Sequence, residues 1–266
     1  MATYVISDIH GCFGEFQQLL CKIEFSEADR LYLAGDYIDR GKQSLEMLRW
    51  LESCPKNAMP IKGNHDAEFA ENVGIMRQID QAEELATDPD SNEDALILLD
   101  SVIYLMKTRN KAILEYFDYY GTIEDLLKNK GAAFGELCRW ADMLAAYPYF
   151  YRFPVNDRDC IVVHAGYCED MSLIANQYGS KEQFYLYARE EAIKFGGVEN
   201  GLIIAGHTPT IAKDTAFYTD GEVFRHYDEV KNCIFYDIDC GCAYYERFPS
   251  GTMACLRLED EEVFYL

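Results

Sequence analysis

A chain of 266 residues with 49% apolar and 14% aromatic content can bury one large core, which excludes an intrinsically disordered protein. Its formal charge of −22 excludes a binder of nucleic-acid backbones, a role that needs clustered lysine and arginine. Ten cysteines are scattered without a Cys-x-x-Cys pair, no apolar run reaches membrane-spanning length, and Met1 to Asp8 meets a charge too soon for a signal peptide. Reduced, largely buried thiols in a cytoplasmic protein with no membrane partner are therefore expected. Cys240 and Cys242 would point to opposite faces of a strand.

The first sixty-odd residues alternate strand and helix signals. Tyr4-Val5-Ile6 reads as a strand, followed by Phe13, Phe16, Leu19, Leu20 and Ile23 at helical spacing. Leu31-Tyr32-Leu33 is the next strand. Ser44 is placed to cap a helix whose apolar face carries Leu45, Leu48 and Leu51. Ala58 to Ile61 then completes a β-α-β-α-β pattern, which implies a parallel sheet with right-handed crossovers.

Residues 67 to about 147 read as a helical insert. Ala95, Leu98, Leu99, Val102 and Met106 make one stripe, and Leu137, Trp140, Ala141 and Leu144 another, with an exposed loop over Thr87 to Asn92. This stretch offers no obvious ligand. Strands return from about Tyr149, at Cys160 to Val163, Leu202 to Ala205, Cys233 to Ile238, Met253 to Leu258 and Val263 to Leu266. The whole, 1–266, is expected to be a single α/β (α+β) domain whose second half adds a more antiparallel sheet.

Five times an apolar run ends in a polar block. These are Ser7-Asp8-Ile9-His10-Gly11, Gly35-Asp36-Tyr37-Ile38-Asp39-Arg40-Gly41, Gly63-Asn64-His65-Asp66, Val163-His164-Ala165-Gly166 and Gly206-His207-Thr208-Pro209. Ligands collect at the carboxyl ends of strands in α/β proteins, and Gly35, Gly63 and Gly206 let the backbone approach closely. Imidazole, carboxylate and carboxamide groups delivered together form a metal-binding inventory too large for one tetrahedral site. Asp36, at the end of a buried strand, is costly unless it meets a cation. His226 belongs to no such block and reads as a surface or packing histidine.

In order, these blocks resemble the signature motifs of the calcineurin-like metallophosphoesterases, closest to their phosphoprotein phosphatase branch. The similarity runs from Thr3 to Leu266 and is weakest in the helical insert. Ser7 stands where the first motif has glycine, and Lys62 precedes the third where protein phosphatases usually have arginine. The resemblance implies a four-layer αββα sandwich with two mixed β-sheets and a helical insert. It implies two divalent cations, manganese first, with iron or zinc as alternatives. Asp8 and His10 would hold the first, Asp36 would bridge, and Asn64, His164 and His207 would complete the second. A hydroxide between them would attack phosphorus in line. His65 would be the general acid oriented by Asp39, with Arg40, Arg189 and Lys62 binding substrate phosphate.

The leading expectation is a Ser/Thr phosphoprotein phosphatase acting on a phosphorylated protein or small phosphate ester, with Asp39 and Arg40 favouring it. The alternative is a symmetrical dinucleoside tetraphosphatase, a branch that often lacks the aspartate matching Asp39. A nuclease or phosphodiesterase is disfavoured because Thr208-Pro209 supplies no Gly-His-x-His. A non-catalytic interaction module is disfavoured because all six ligand positions are filled. No nucleic acid and no regulatory subunit is expected as a partner. The insert is expected to cap the metal crevice and select what enters.

Overall fold

A computed structural model of the chain describes residues 1–109 and 115–266. The expected β-α-β-α-β opening is present as β1 (Thr3–Ile6), α1 (Phe13–Lys22), β2 (Arg30–Leu33), α2 (Ser44–Glu52) and β3 (Ala58–Pro60). Both β1–β2 and β2–β3 pair in parallel. The insert supplies α3 (Asn64–Ala82), α4 (Asn92–Arg109), α5 (Thr122–Lys128) and α6 (Phe134–Ala146). The second half contains β4 (Phe150–Val155), β5 (Arg158–Val163), α7 (Lys181–Tyr187), α8 (Glu190–Lys194), β6 (Gly201–Ala205), β7 (Phe224–Asp228), β8 (Cys233–Asp237), β9 (Ala254–Arg257) and β10 (Glu262–Tyr265).

Two five-stranded sheets result, in the orders β10-β9-β1-β2-β3 and β4-β5-β6-β8-β7. Both are mixed. In the second, β5, β6 and β8 run parallel while β4 and β7 close its edges antiparallel. The last two strands do not extend that second sheet: β9 pairs antiparallel with β1 and β10 with β9, so the end of the chain returns to the first.

Strand periodicity sorts the apolar residues into layers. On β1, Tyr4 and Ile6 face the helices while Val5 faces the other sheet; on β5, Ile161 and Val163 face outward while Cys160 and Val162 face inward. Because central strands are covered on both sides, they read as continuous apolar runs rather than alternating ones. Between the sheets, Tyr32 stacks on Phe153 with ring centroids 4.4 Å apart. Helices cover the outer faces of both sheets, giving the αββα sandwich.

The insert is no detachable cap. Leu98, Val102, Leu126, Leu127, Leu137 and Trp140 share one buried cluster with Phe16 and Leu19 of α1 and Leu48 of α2. The connection expected at 87–92 lies between α3 and α4, over residues 83–91. Ser44 does not cap α2: it is the first helical residue, and its Oγ accepts the Asp39 N–H at 3.3 Å. The ten cysteines are free thiols and seven are buried. Cys240 and Cys242 lie beyond β8, in the turn where Gly241 is left-handed, rather than on a strand. His226 sits half-buried on β7. Among the described residues no helix is long and apolar enough to cross a membrane.

Trp140 is the largest fully buried side chain and belongs to the helical insert. Trp140→Ala should lower unfolding free energy by about 3–5 kcal/mol, read from a urea midpoint. A midpoint within error of the parent would show that the insert is not part of the cooperative core.

Candidate metal centre

Six strands deliver the site from their carboxyl ends. Asp8 and His10 follow β1, and Asp36, Asp39 and Arg40 follow β2. Asn64 and His65 open α3 directly after β3, and His164 and His207 follow β5 and β6. Asp237 ends β8 and Asp239 lies just beyond it. The backbone is forced to fit: Asp8, His10, Asp36, Asp39, Arg40 and His207 all have positive φ, between 45° and 73°. Non-glycine residues adopt that region at a cost of roughly 1–3 kcal/mol each, so the packing around them must over-determine it. Glycine is required where chains touch. A Cβ on Gly63 would lie 2.2 Å from Asp36 Oδ1, and one on Gly206 would lie 2.0 Å from Asp8 Oδ2.

Asp36 is the centre of the gathering. Its Oδ2 lies 3.5 Å from His10 Nε2, 3.5 Å from His164 Nε2 and 3.8 Å from His65 Nε2. Two groups of metal-ligating atoms share it: His10, Asp36 and His65 on one side, Asp36, His164 and His207 on the other. Asn64 Oδ1 is 3.0 Å from both His164 Nε2 and His207 Nδ1. Asp8 reaches across, with Oδ1 3.8 Å from His10 Nε2 and Oδ2 accepting the His207 N–H at 3.0 Å. All six expected ligands therefore converge.

The donor chemistry fits cations. His10 and His164 place Nδ1 at 2.9 and 2.8 Å from the carbonyls of Ile38 and Ala34, which fixes the hydrogen there and leaves each Nε2 a lone pair facing Asp36. His164 Nε2 and Asn64 Oδ1 are then two acceptors in contact, an arrangement that a shared cation satisfies. Asp8 Oδ1 is buried with no hydrogen-bond partner, a position that is costly for a carboxylate without a positive charge.

Electrostatics sort the histidines. Burial opposes ionisation of Asp36, but His164, His65, His10 and His207 outweigh it and hold the carboxyl below the usual carboxylate range. Burial pushes His10 and His207 well below ordinary imidazole, aided by Arg40 at His10 and by His164 at His207. His65 goes the other way: burial disfavours its charge, yet Asp36 and the Asp39 hydrogen bond raise it to about 9. Its Nδ1 meets Asp39 Oδ2 at 2.6 Å.

The expected phosphate-binding residues divide. Arg40 lies at the centre, its guanidinium against His10 Nε2 and between the rings of Tyr120 and Tyr244, at 5.4 and 5.2 Å. Arg189 is exposed at the junction of α7 and α8, close enough for its charge to reach His207. Lys62 places its ammonium 4.6 Å from the Tyr149 ring centroid; burial lowers its pKa, against the nearby Asp66 charge.

Sequence reasoning missed several contributors. Asp66 is fully buried, and its carboxylate accepts the backbone N–H of Gly63 at 2.8 Å, Asp36 at 2.9 Å and Tyr37 at 3.1 Å. The insert reaches the site through Tyr120, whose ring is 4.6 Å from that of His65, and through Thr122, which donates to Asp39 Oδ1. Asp118 aims that segment by accepting the N–H groups of Ile123 and Glu124 at the start of α5. Asp239 is buried with Oδ2 unpartnered, and burial with the nearby Asp8 raises its pKa well above the ordinary value. Two carboxylates ending the apolar strand Cys233–Asp237 repeat the signal that singled out Asp36.

The family model for calcineurin-like phosphoesterases matches residues 1–211. This chain belongs to that family. Among its curated relatives is a symmetrical bis(5'-nucleosyl)-tetraphosphatase of Nitrosococcus oceani, 54% identical over 67 residues, or 25% of this chain and 24% of the relative. An enzyme of the same name from Vibrio parahaemolyticus is 46% identical over 83 residues, 30% of this chain and 31% of the relative. The chain thus spans about a quarter to a third of the length of the curated relatives it matches. A crystal structure of a candidate diadenosine tetraphosphatase superposes with a TM-score of 0.53 at 16% identity, covering 100% of this chain and 92% of that one, which supports the calcineurin-like fold.

Asp66→Asn would set an amide N–H against backbone donors that now share two carboxylate oxygens. It should destabilise the protein by about 2–3 kcal/mol and weaken metal binding, read from a urea midpoint and metal titration. An unchanged midpoint would refute the role of Asp66 as the tie between β2 and α3.

Proposed function

We propose that this chain is a metal-dependent phosphohydrolase that cleaves dinucleoside tetraphosphates symmetrically, at the central phosphoanhydride. The observation that carries the substrate is the identity with curated symmetrical tetraphosphatases, 54% and 46% over segments of 67 and 83 residues. That support favours the alternative of the sequence reading over its leading expectation, the phosphoprotein phosphatase. Asp8, His10, Asp36, Asn64, His164 and His207 would hold two divalent cations. When bound, such cations supply Lewis acidity, polarising phosphoryl oxygens and lowering the pKa of water.

The chain's own residues do the rest. Asp36 orients both clusters by standing between them. Arg40 offers a planar, multi-donor guanidinium to phosphate oxygens, held in place by Tyr120 and Tyr244. His65, with Nδ1 fixed on Asp39, presents Nε2 as the proton donor to a leaving oxygen. A nucleoside diphosphate leaves as an anion and needs that proton little; a serine alkoxide needs it greatly. The Asp39–His65 pair is therefore the observation favouring a second reading, a Ser/Thr phosphomonoesterase.

With manganese added, kcat/KM for diadenosine tetraphosphate should exceed that for phosphoserine, phosphothreonine and phosphotyrosine peptides by about tenfold or more, with ADP as sole nucleotide product. Preference for a phosphopeptide, or release of AMP and ATP, would overturn the reading. His65→Ala should lose about 100-fold or more on a phosphoserine peptide while losing far less on an aryl phosphate. Equal losses on the two substrates would refute the acid assignment.

A further inference from the structure

Beside the metal centre lies a cavity of about 560 Å³. Its walls are apolar and aromatic: Pro209, Ile211, Tyr244 and Phe248. Arg189 and Lys213 supply positive charge and Asp214 a hydrogen-bond acceptor. A cavity of this size, mostly apolar with a few polar groups, is the form taken by small-molecule sites.

Two features tie it to the reacting centre. Pro209 follows the ligand block Gly206-His207-Thr208 directly. Tyr244 is a shared wall, since its ring also lies 5.2 Å from the Arg40 guanidinium. The cavity is built on fixed backbone. Thr210 N–H donates to the Asp239 carbonyl at 2.8 Å, and Phe248 N–H donates to the Tyr244 carbonyl at 2.8 Å. Gly241 is left-handed where Ile211 packs against it, so that a Cβ there would lie 2.5 Å from Ile211 Cδ1.

We infer that this cavity binds the nucleobase of one half of a dinucleoside polyphosphate, with Tyr244 and Phe248 as its specificity-determining residues. The inference rests on the proposed dinucleotide substrate and adds where its base is read. A planar base stacks on aromatic walls with little regard to sequence, as bases do on protein aromatics generally. Arg189 and Lys213 at the rim meet the phosphates next to the ribose, and Asp214 suits an exocyclic amino group. A phosphoserine or phosphothreonine side chain carries no ring to fill this space. On the opposite side of Arg40 a second cavity of about 330 Å³ is lined by Lys42, Tyr120 and Lys130. Apart from Tyr120 its lining is polar or glycine, with no aliphatic wall, so the aromatic cavity is the one assigned to the base.

The test compares the parent protein, Phe248→Ala and Ala212→Trp, which would fill the same cavity. The substrates are diadenosine tetraphosphate, inorganic tripolyphosphate and 4-nitrophenyl phosphate, with manganese present. Either substitution should raise KM for the dinucleotide about tenfold or more and leave kcat/KM within about twofold for the two substrates without a base. If Phe248→Ala fails to fold, Ala212→Trp decides alone, because it removes space rather than packing. A parent that cleaves the dinucleotide, with folded variants that keep its KM, overturns the nucleobase site and leaves the proposed function standing. A parent that hydrolyses 4-nitrophenyl phosphate but not the dinucleotide overturns both.

Discussion

Asp36 brings a carboxylate to 1% exposure at the end of a strand covered on both faces. An isolated charge so placed costs several kcal/mol, and the surrounding architecture is arranged to offset it. Oδ1 accepts the His65 N–H at 3.0 Å, and Oδ2 faces three imidazoles drawn from both sheets. A second buried carboxylate, Asp66, takes up the N–H groups of Asp36 and Tyr37 and so holds the turn that aims Asp36. Remove the central charge and the sheets lose the electrostatic reason for presenting their strand ends to each other.

That arrangement explains why so many residues around the site sit in left-handed backbone. Strand ends that splay outward would place their first polar side chains several ångströms apart. A positive-φ turn at Asp8, His10, Asp36 and His207 folds each chain back toward the common point. Such turns are affordable only where hydrogen bonds fix them, as Asp8 N–H does on the Gly35 carbonyl and His10 N–H on the Asp36 carbonyl. Beyond α3, the helical insert reaches this scheme through Tyr120, which meets His65 and Arg40, and Thr122, which meets Asp39.

Much of this was legible in the sequence because it is written in local patterns. The parallel β1–β2–β3 unit follows from alternating periods, and the polar blocks after apolar runs carry the motifs whose family resemblance implies the six candidate ligands. Pairing of β9 with β1 was not legible, since nothing local to Ala254–Arg257 distinguishes one sheet edge from the other. Tyr120 and Thr122 were missed because an aromatic residue and a hydroxyl in a polar connection carry no signal until a distant carboxylate and imidazole are placed beside them. Ser44 misled for a related reason. Its hydroxyl was read against its own helix, whereas it serves the Asp39 N–H of the preceding loop. Lys62 was assigned by its neighbours in sequence, and its side chain turns to Tyr149 instead.

The return of the last strands to the first sheet bears on how the protein is made. β1 lies between β2 and β9, so the strand that carries Asp8 and His10 keeps an open edge until residues 254–257 emerge from the ribosome. Every residue between β1 and β9 must therefore be synthesised before that sheet closes, and pairing across so long a loop is slow. An unpaired edge invites pairing with other chains in the meantime. The open edge, rather than the finished sandwich, is then where the growing chain is exposed to misassembly.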